Sequence, residues 1–396
     1  MSLIQRVRPH LHIVILCLCW YTISSIGSRV TKKILTECPL PLFLGEFQFI
    51  YTALLALGSC MLARKYKGIY NTFPVGTFPN YYPHPNEKFQ SMDRKPTNKQ
   101  IMVMIAPSKH IINTVLPLGL FQFVGKYFGH KATSLVPVST VASIKTLSPV
   151  FILIFQKCLR ISTLPLSINL WLSLFSIVAG VWIIVNEDGK NRKKFKGNSN
   201  EGNFSSKGIF CAIISMFIFV AQNIHGKKVF TFKSESKDAG DGSNNSKEST
   251  PLPYYSSEKK SIKYDKLTLM TYISSVGFCL SLGWFSFLEL PIVWNYIFGN
   301  GQSDIINSIP WKLFLVNGTF HFIQAMIAFH LLGEVSTLTY SIANLMKRIA
   351  IISVSWIFSG VAISFLQIFG LLLNALGLFL YEQCNNKKKL KKLRPE

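Results

Sequence analysis

The chain has 396 residues, of which 49% are hydrophobic and only 15% charged, and phenylalanine alone occurs 31 times. Such a composition excludes an ordinary soluble domain and fits a polytopic membrane protein. The formal charge of +24 would suit a nucleic-acid binder, but the basic side chains concentrate between and after the apolar runs with no DNA or RNA motif around them. The charge therefore reads as topology, and no nucleic-acid partner is expected.

Taking about 20 residues for one crossing of the hydrocarbon core, the chain offers ten spans, at 11–30, 41–63, 104–125, 132–157, 164–186, 207–229, 267–289, 312–332, 335–358 and 361–382. The first begins close to Met1 and lacks a small-residue cleavage site, so it is expected to stay as the first helix of the bundle. Between the second and third lies a basic polar loop near 64–100 with an irregular Pro/Tyr insert, Pro79 to Pro85. The stretch 234–263, rich in Ser, Asn, Gly, Asp and Lys, reads as a disordered linker. The segment Pro291 to Pro310 contains no Lys or Arg, whereas 386–396 is a strongly basic tail. An even number of spans and the positive-inside rule put both termini on the cytosolic face. The run Lys190 to Lys194 dissents, because it falls on the opposite side in this count.

The eight cysteines show no paired metal-type spacing, so they are expected as small core residues, with no metal and no cofactor. Neither a Gly-rich phosphate loop nor a catalytic triad is present, and the chain is not expected to be an enzyme.

The costly residues are cations inside apolar spans. Lys347 and Arg348 stand side by side in span nine, and Lys145 stands in span four. A cation at mid-bilayer costs roughly 2.5–3.5 kcal/mol on insertion scales and usually faces a polar pathway. Dividing ten spans into five and five makes spans four and nine equivalent, and each lysine follows a serine by six positions, Ser139 and Ser341. Halves with an odd number of spans have opposite orientation, the plan in which a substrate site lies at mid-membrane between inverted repeats. The expected fold is all-α, with a first repeat over 1–190 and a second over 207–385. On span nine, Tyr340, Asn344 and Lys347 form a stripe beside Ser341 and Arg348. A mobile ammonium with a planar guanidinium fork suits phosphate. The competing explanation is that these cations pair with Glu46 or Glu289, or snorkel to the interface. Glu46 itself fits an ion pair, an interfacial residue or a proton-coupling carboxylate, and His12, His225, His321 and His330 read as packing or hydrogen-bonded residues.

These residues resemble the triose-phosphate/phosphate translocator family of the drug/metabolite transporter superfamily. Thr339, Ser341, Asn344, Lys347 and Arg348 match its ninth-helix Thr-His-Ser-Val-Gly-Asn-x-x-Lys-Arg pattern in register, with Tyr340 in the His position. Val138-Ser139, Lys145, Leu147, Pro149 and Phe151 resemble the fourth-helix motif, and Trp20-Tyr21 and Thr31-Lys32 the first-helix elements. The resemblance implies an antiporter exchanging inorganic phosphate for a small phosphorylated metabolite of the phosphoenolpyruvate, triose phosphate or 3-phosphoglycerate class. It also implies a monomer that needs only lipid and substrate as partners. Lys145, Lys347 and Arg348 then hold the phosphate, within a wider pocket of Lys32, Lys126, Ser139, Gln324, Tyr340, Ser341 and Asn344. The family's fourth-helix His is Ala142 here and its Glu is Ser148, so the part that reads the organic group is not carried over. The absence of a plastid leader resembles fungal members in the endoplasmic reticulum. A nucleotide-sugar carrier of the same superfamily and a trafficking or scaffold protein remain the alternatives.

Overall fold

The computed structural model describes residues 3–74, 76–82, 104, 107, 109–158, 168–196, 206–230, 265–298, 306, 308–335, 337–360 and 362–393. All regular structure among them is helical: α1 (Leu3–Glu37), α2 (Pro41–Lys65), α3 (Lys67–Thr72), α4 (Lys109–Leu135), α5 (Val138–Thr146), α6 (Ser148–Cys158) and α7 (Ile168–Lys196). There follow α8 (Ser206–Phe230), α9 (Lys266–Leu288), α10 (Leu290–Phe298), α11 (Trp311–Glu334), α12 (Thr337–Ile357) and α13 (Phe365–Leu393). The expected disordered linker 234–263 lies outside the described residues. The loop near 64–100 is described only in part, and there Phe78 and Tyr81 pack into an apolar cluster with Ala56 and Leu267. The basic tail is helical as far as Leu393, since α13 continues through it.

Six helices, α1, α2, α4, α7, α9 and α13, are long and apolar enough to cross a membrane. Their outer faces confirm the solvent they were built for: Phe175 is 72% exposed, Phe287 87% and Phe365 80%, a pattern that only lipid tolerates at this density. The protein is a multi-pass membrane protein. Three further helices are of spanning length, α8, α11 and α12, and two of them carry polar side chains in their interiors: Asn317, His321 and Gln324 in α11, and Asn344, Lys347 and Arg348 in α12.

Several helices outrun the expected spans, α1 ending at Glu37 and α7 at Lys196, and the third and fourth spans differ in ways that bear on the site. The third helix starts and ends later, at Lys109–Leu135 rather than 104–125. The fourth span is broken in two. Pro137 sits before α5 with an extended backbone, and Pro149 follows the α5/α6 break. Proline has no N–H for the carbonyl four residues back, and for Pro149 that carbonyl belongs to Lys145.

Local chemistry fixes the remaining ends. Asp265 caps α9 by accepting from the Thr268 N–H at 2.8 Å. The Glu289 carboxylate, in the α9/α10 turn, accepts from the main-chain N–H groups of Leu42 and Phe43 at 3.1 and 2.7 Å and so caps α2 from outside. Close helix packing relies on glycine where α7 meets α13: a Cβ on Gly180 would lie 2.7 Å from main-chain atoms of Gly370 and Asn374.

Candidate functional site

The helices α1, α2, α4, α5, α8, α11 and α12 enclose a central cavity of about 410 Å³. α2 and α8 contribute one residue each, Gln48 and Phe219, and α4, α5, α11 and α12 contribute side chains at helical spacing. Lys126, Gly129, His130 and Thr133 come from α4, and Val138, Val141, Ala142 and Lys145 from α5. Asn317, His321 and Gln324 come from α11, and Asn344, Lys347, Arg348 and Ile351 from α12. Four cations therefore face one chamber, and among the described residues no Asp or Glu lines it. Among the described residues no carboxylate lies within 4.0 Å of any of them, the one such pair being Lys190 with Glu187.

The two carboxylates that could have neutralised the cations are engaged elsewhere. Glu289 caps α2, as above, and Glu46 accepts from the Ser281 hydroxyl at the α2/α9 contact. Arg348 stays next to Lys145 for a reason rooted in the sequence: its Nη1 donates to the Lys145 carbonyl, to which Pro149, four residues on, offers no N–H, and to Ser148 Oγ at 2.9 Å. A cation of α12 thus completes the hydrogen bonding of the broken α5/α6 span.

The opposite wall is a polar network. Gln48 Nε2 donates to Asn317 Oδ1 at 2.6 Å, Asn317 Nδ2 donates to Thr31 Oγ1 at 2.7 Å, and His130 Nε2 lies 3.3 Å from Gln48 Oε1. Ser24 donates to Gln324 Oε1 at 3.0 Å, and Gln222 to Gln122 at 2.7 Å. Buried amides fixed in this way are oriented in advance to meet polar groups of a guest.

A second cavity of about 920 Å³ meets the first at Val138, which lines both. Arg29, Lys32, Lys33, Ser139, Asp188, Ser355 and Trp356 are among its walls. Trp20, Leu331 and Ala343 form an apolar cluster with Tyr340 where α1, α11 and α12 pack together.

Of the residues that the sequence singled out, Lys145, Lys347, Arg348, Lys126, Gln324 and Asn344 share the central lining. Three do not. Lys32 Nζ donates to the carbonyls of Thr133, Ser134 and Val136, closing the end of α4, and belongs to the second cavity. Ser139 donates to Asp188 Oδ2 at 2.6 Å, in a junction where Thr140, Trp356 and Gln367 also donate to that carboxylate. Tyr340 packs on Trp20 with ring centroids 5.7 Å apart. The Ser341 side chain lies outside the described residues. Conversely, Gln48, Gln122, His130 and Asn317 line the cavity without having been singled out, and His321, expected as a packing or hydrogen-bonded residue, lines it too.

The model of the Triose-phosphate Transporter family matches residues 11–248 and 254–382. Among similar proteins, Uncharacterized transporter YJL193W of Saccharomyces cerevisiae is 58% identical over 100% of this chain and 99% of its own length. Uncharacterized transporter SLY41 of the same organism is 33% identical over 98% of the chain and 84% of its own length. The chloroplastic Triose phosphate/phosphate translocator of Flaveria trinervia is 22% identical over 87% of the chain and 64% of its own length.

Proposed function

Because this chain belongs to the Triose-phosphate Transporter family, we propose that it exchanges inorganic phosphate for a small phosphorylated metabolite by alternating access. The observation that carries this reading is the cation-lined, carboxylate-free chamber at the junction of α4, α5 and α12. The substrate phosphate is held by Lys145, Lys347 and Arg348, the guanidinium supplying a planar fork and the ammonium groups mobile charge. The polar wall of Gln48, Asn317, His130 and Gln324 receives the organic part, with Lys126 as a fourth positive charge for an acidic tail. Phosphoenolpyruvate, triose phosphates and 3-phosphoglycerate are the substrate class.

The exchange rule follows from charge. An empty, dehydrated chamber holds like charges with no counter-ion, which costs far more than the loaded, neutralised one. Only the loaded carrier rocks, so each phosphate group moved one way is matched by one moved the other way.

The architecture for this motion is a ten-span bundle of two inverted five-helix repeats, over 1–190 and 207–385. Counting the broken α5/α6 as one span and leaving aside the short α3 and α10, helix contacts recur when each span is exchanged for the one five positions on. The contact of α4 with α8 corresponds to that of α11 with α1, and the contact of α2 with α11 to that of α9 with α4. The pairs α7 with α13, α2 with α9 and α5 with α12 map onto themselves. This reading has both termini cytosolic, the second cavity opening to the lumen, and the endoplasmic reticulum as the address, consistent with the basic tail.

The test is counterflow in proteoliposomes. Internal phosphate is expected to drive uptake of labelled phosphate and of the organic phosphates above, and Lys347→Ala and Arg348→Ala are expected to abolish it. Uptake driven by internal nucleotide monophosphate but not by phosphate would refute the assignment.

A further inference from the structure

Each lysine of the central chamber faces an aromatic ring instead of an acid. Lys347 Nζ lies 4.2 Å from the centroid of Trp20, Lys126 Nζ 4.4 Å from that of Phe49, and Lys145 Nζ 5.7 Å from that of Phe219. The three rings come from three different helices, α1, α2 and α8, so no single local repeat accounts for the pattern. We propose that Trp20, Phe49 and Phe219 are positioning residues that hold the cations of the unloaded chamber and release them to the incoming phosphate.

The rings are fixed while the lysines are not. Trp20 and Phe49 are each 2% exposed. Phe49 is seated against Gly277, where a Cβ would approach its Cε1 and Cζ to 2.8 Å, and Phe219 against Gly125, where the same atoms would be 3.1 Å away. A side chain at Gly277 would displace the Phe49 ring, and one at Gly125 would press the Phe219 ring by a few tenths of an ångström. The flexible stem belongs to the lysine, whose ammonium can leave the ring for an anion without moving the wall.

The chemistry of the partner matters for turnover. A carboxylate at these positions would neutralise the lysine and compete with phosphate as one anion with another. An aromatic face attracts the ammonium through its quadrupole, more weakly, and carries no net charge. It lowers the cost of the empty chamber while leaving the field positive, so substrate still gains by entering. This role rests on the phosphate clamp proposed above and adds to it a determinant of affinity.

The consequence is opposite in sign to that of a packing residue. A ring that stabilises the empty state more than the loaded one weakens binding, so its removal tightens binding. Equilibrium binding of labelled inorganic phosphate to the purified full-length protein reads this directly. In Trp20→Leu the Kd is expected to fall about threefold to tenfold, the range set by a desolvated cation–π contact, with Trp20→Phe in between. Phe219→Leu is expected to act in the same direction through Lys145, and it carries the test if Trp20→Leu does not fold. A Kd that stays constant or rises in the Leu variant overturns the placeholder role. Lys347→Ala separates the two levels: if it loses phosphate while Trp20→Leu fails to tighten it, the placeholder role alone is wrong. If Lys347→Ala binds phosphate as the unaltered protein does, the clamp itself is wrong and this role falls with it.

Discussion

Arg348 and Asp188 show how single side chains in this bundle serve more than one helix. Arg348 lines the cavity and hydrogen-bonds the Lys145 carbonyl and Ser148. Lysine keeps the charge at that place but has no planar fork to serve both a protein carbonyl and a phosphate oxygen. Arg348→Lys is therefore expected to raise the phosphate Kd about tenfold or more, the scale of a charge-assisted hydrogen bond, as measured by equilibrium binding. Asp188 accepts from Ser139, Thr140, Trp356 and Gln367, which join α5, α7, α12 and α13. Asparagine would turn an N–H pair toward donors, and Asp188→Asn is expected to cost about 1–3 kcal/mol of stability, seen as a lower Tm. At this scale the sequence was informative about charge and silent about partners. Lys145, Lys347 and Arg348 stood out because cations in apolar segments are rare, whereas His130 and Asn317 did not, because a neutral polar residue in a membrane helix is ordinary. Their signal was periodic: Asn317, His321 and Gln324 recur on one face of α11.

Element boundaries were harder to read. The polar stretch Gly125 to Ser134 interrupts the run from residue 104 to 157, so hydropathy alone ended the third span at 125 and assigned 132–135 to the fourth, where the structure continues α4 to Leu135. The break at Leu147 was signalled by Pro149, yet its purpose emerges only with Arg348 in view. Pro149→Ala would return an N–H to the Lys145 carbonyl and let α5 run on into α6, displacing the guanidinium. Exchange is expected to fall severalfold with no loss of Tm, measured as counterflow beside a thermal melt. The contact of α7 with α13 gives a contrasting case, since Gly180→Leu would force main chains apart. Overpacking of this kind typically costs about 1–3 kcal/mol, and a lower Tm is the expected outcome.

For the molecule as a whole, the two cavities meet at Val138, which lines both. A small thiol reagent is thus expected to reach Val138→Cys through the larger cavity, and phosphate to slow that reaction more than it slows reaction at Ser359→Cys, on the outer wall. Equal protection at both places would show that phosphate does not settle in the inner chamber. The polytopic class was legible in composition, and the pairing of spans four and nine in the placement of two lysines. The second cavity was not, because its walls come from the ends of α1, α4, α5, α7, α12 and α13, residues that sequence spacing never brings together.

The missing amide proton of Pro149 has a longer reach than its own turn. It leaves a carbonyl of one helix able to take a positive group from another, so the guanidinium proposed to hold the cargo also rivets α12 to the broken α5/α6 span. Drift that abolished cargo capture at Arg348 would also loosen that joint, and a descendant of this chain that had given up transport would have to mend its fourth crossing as well.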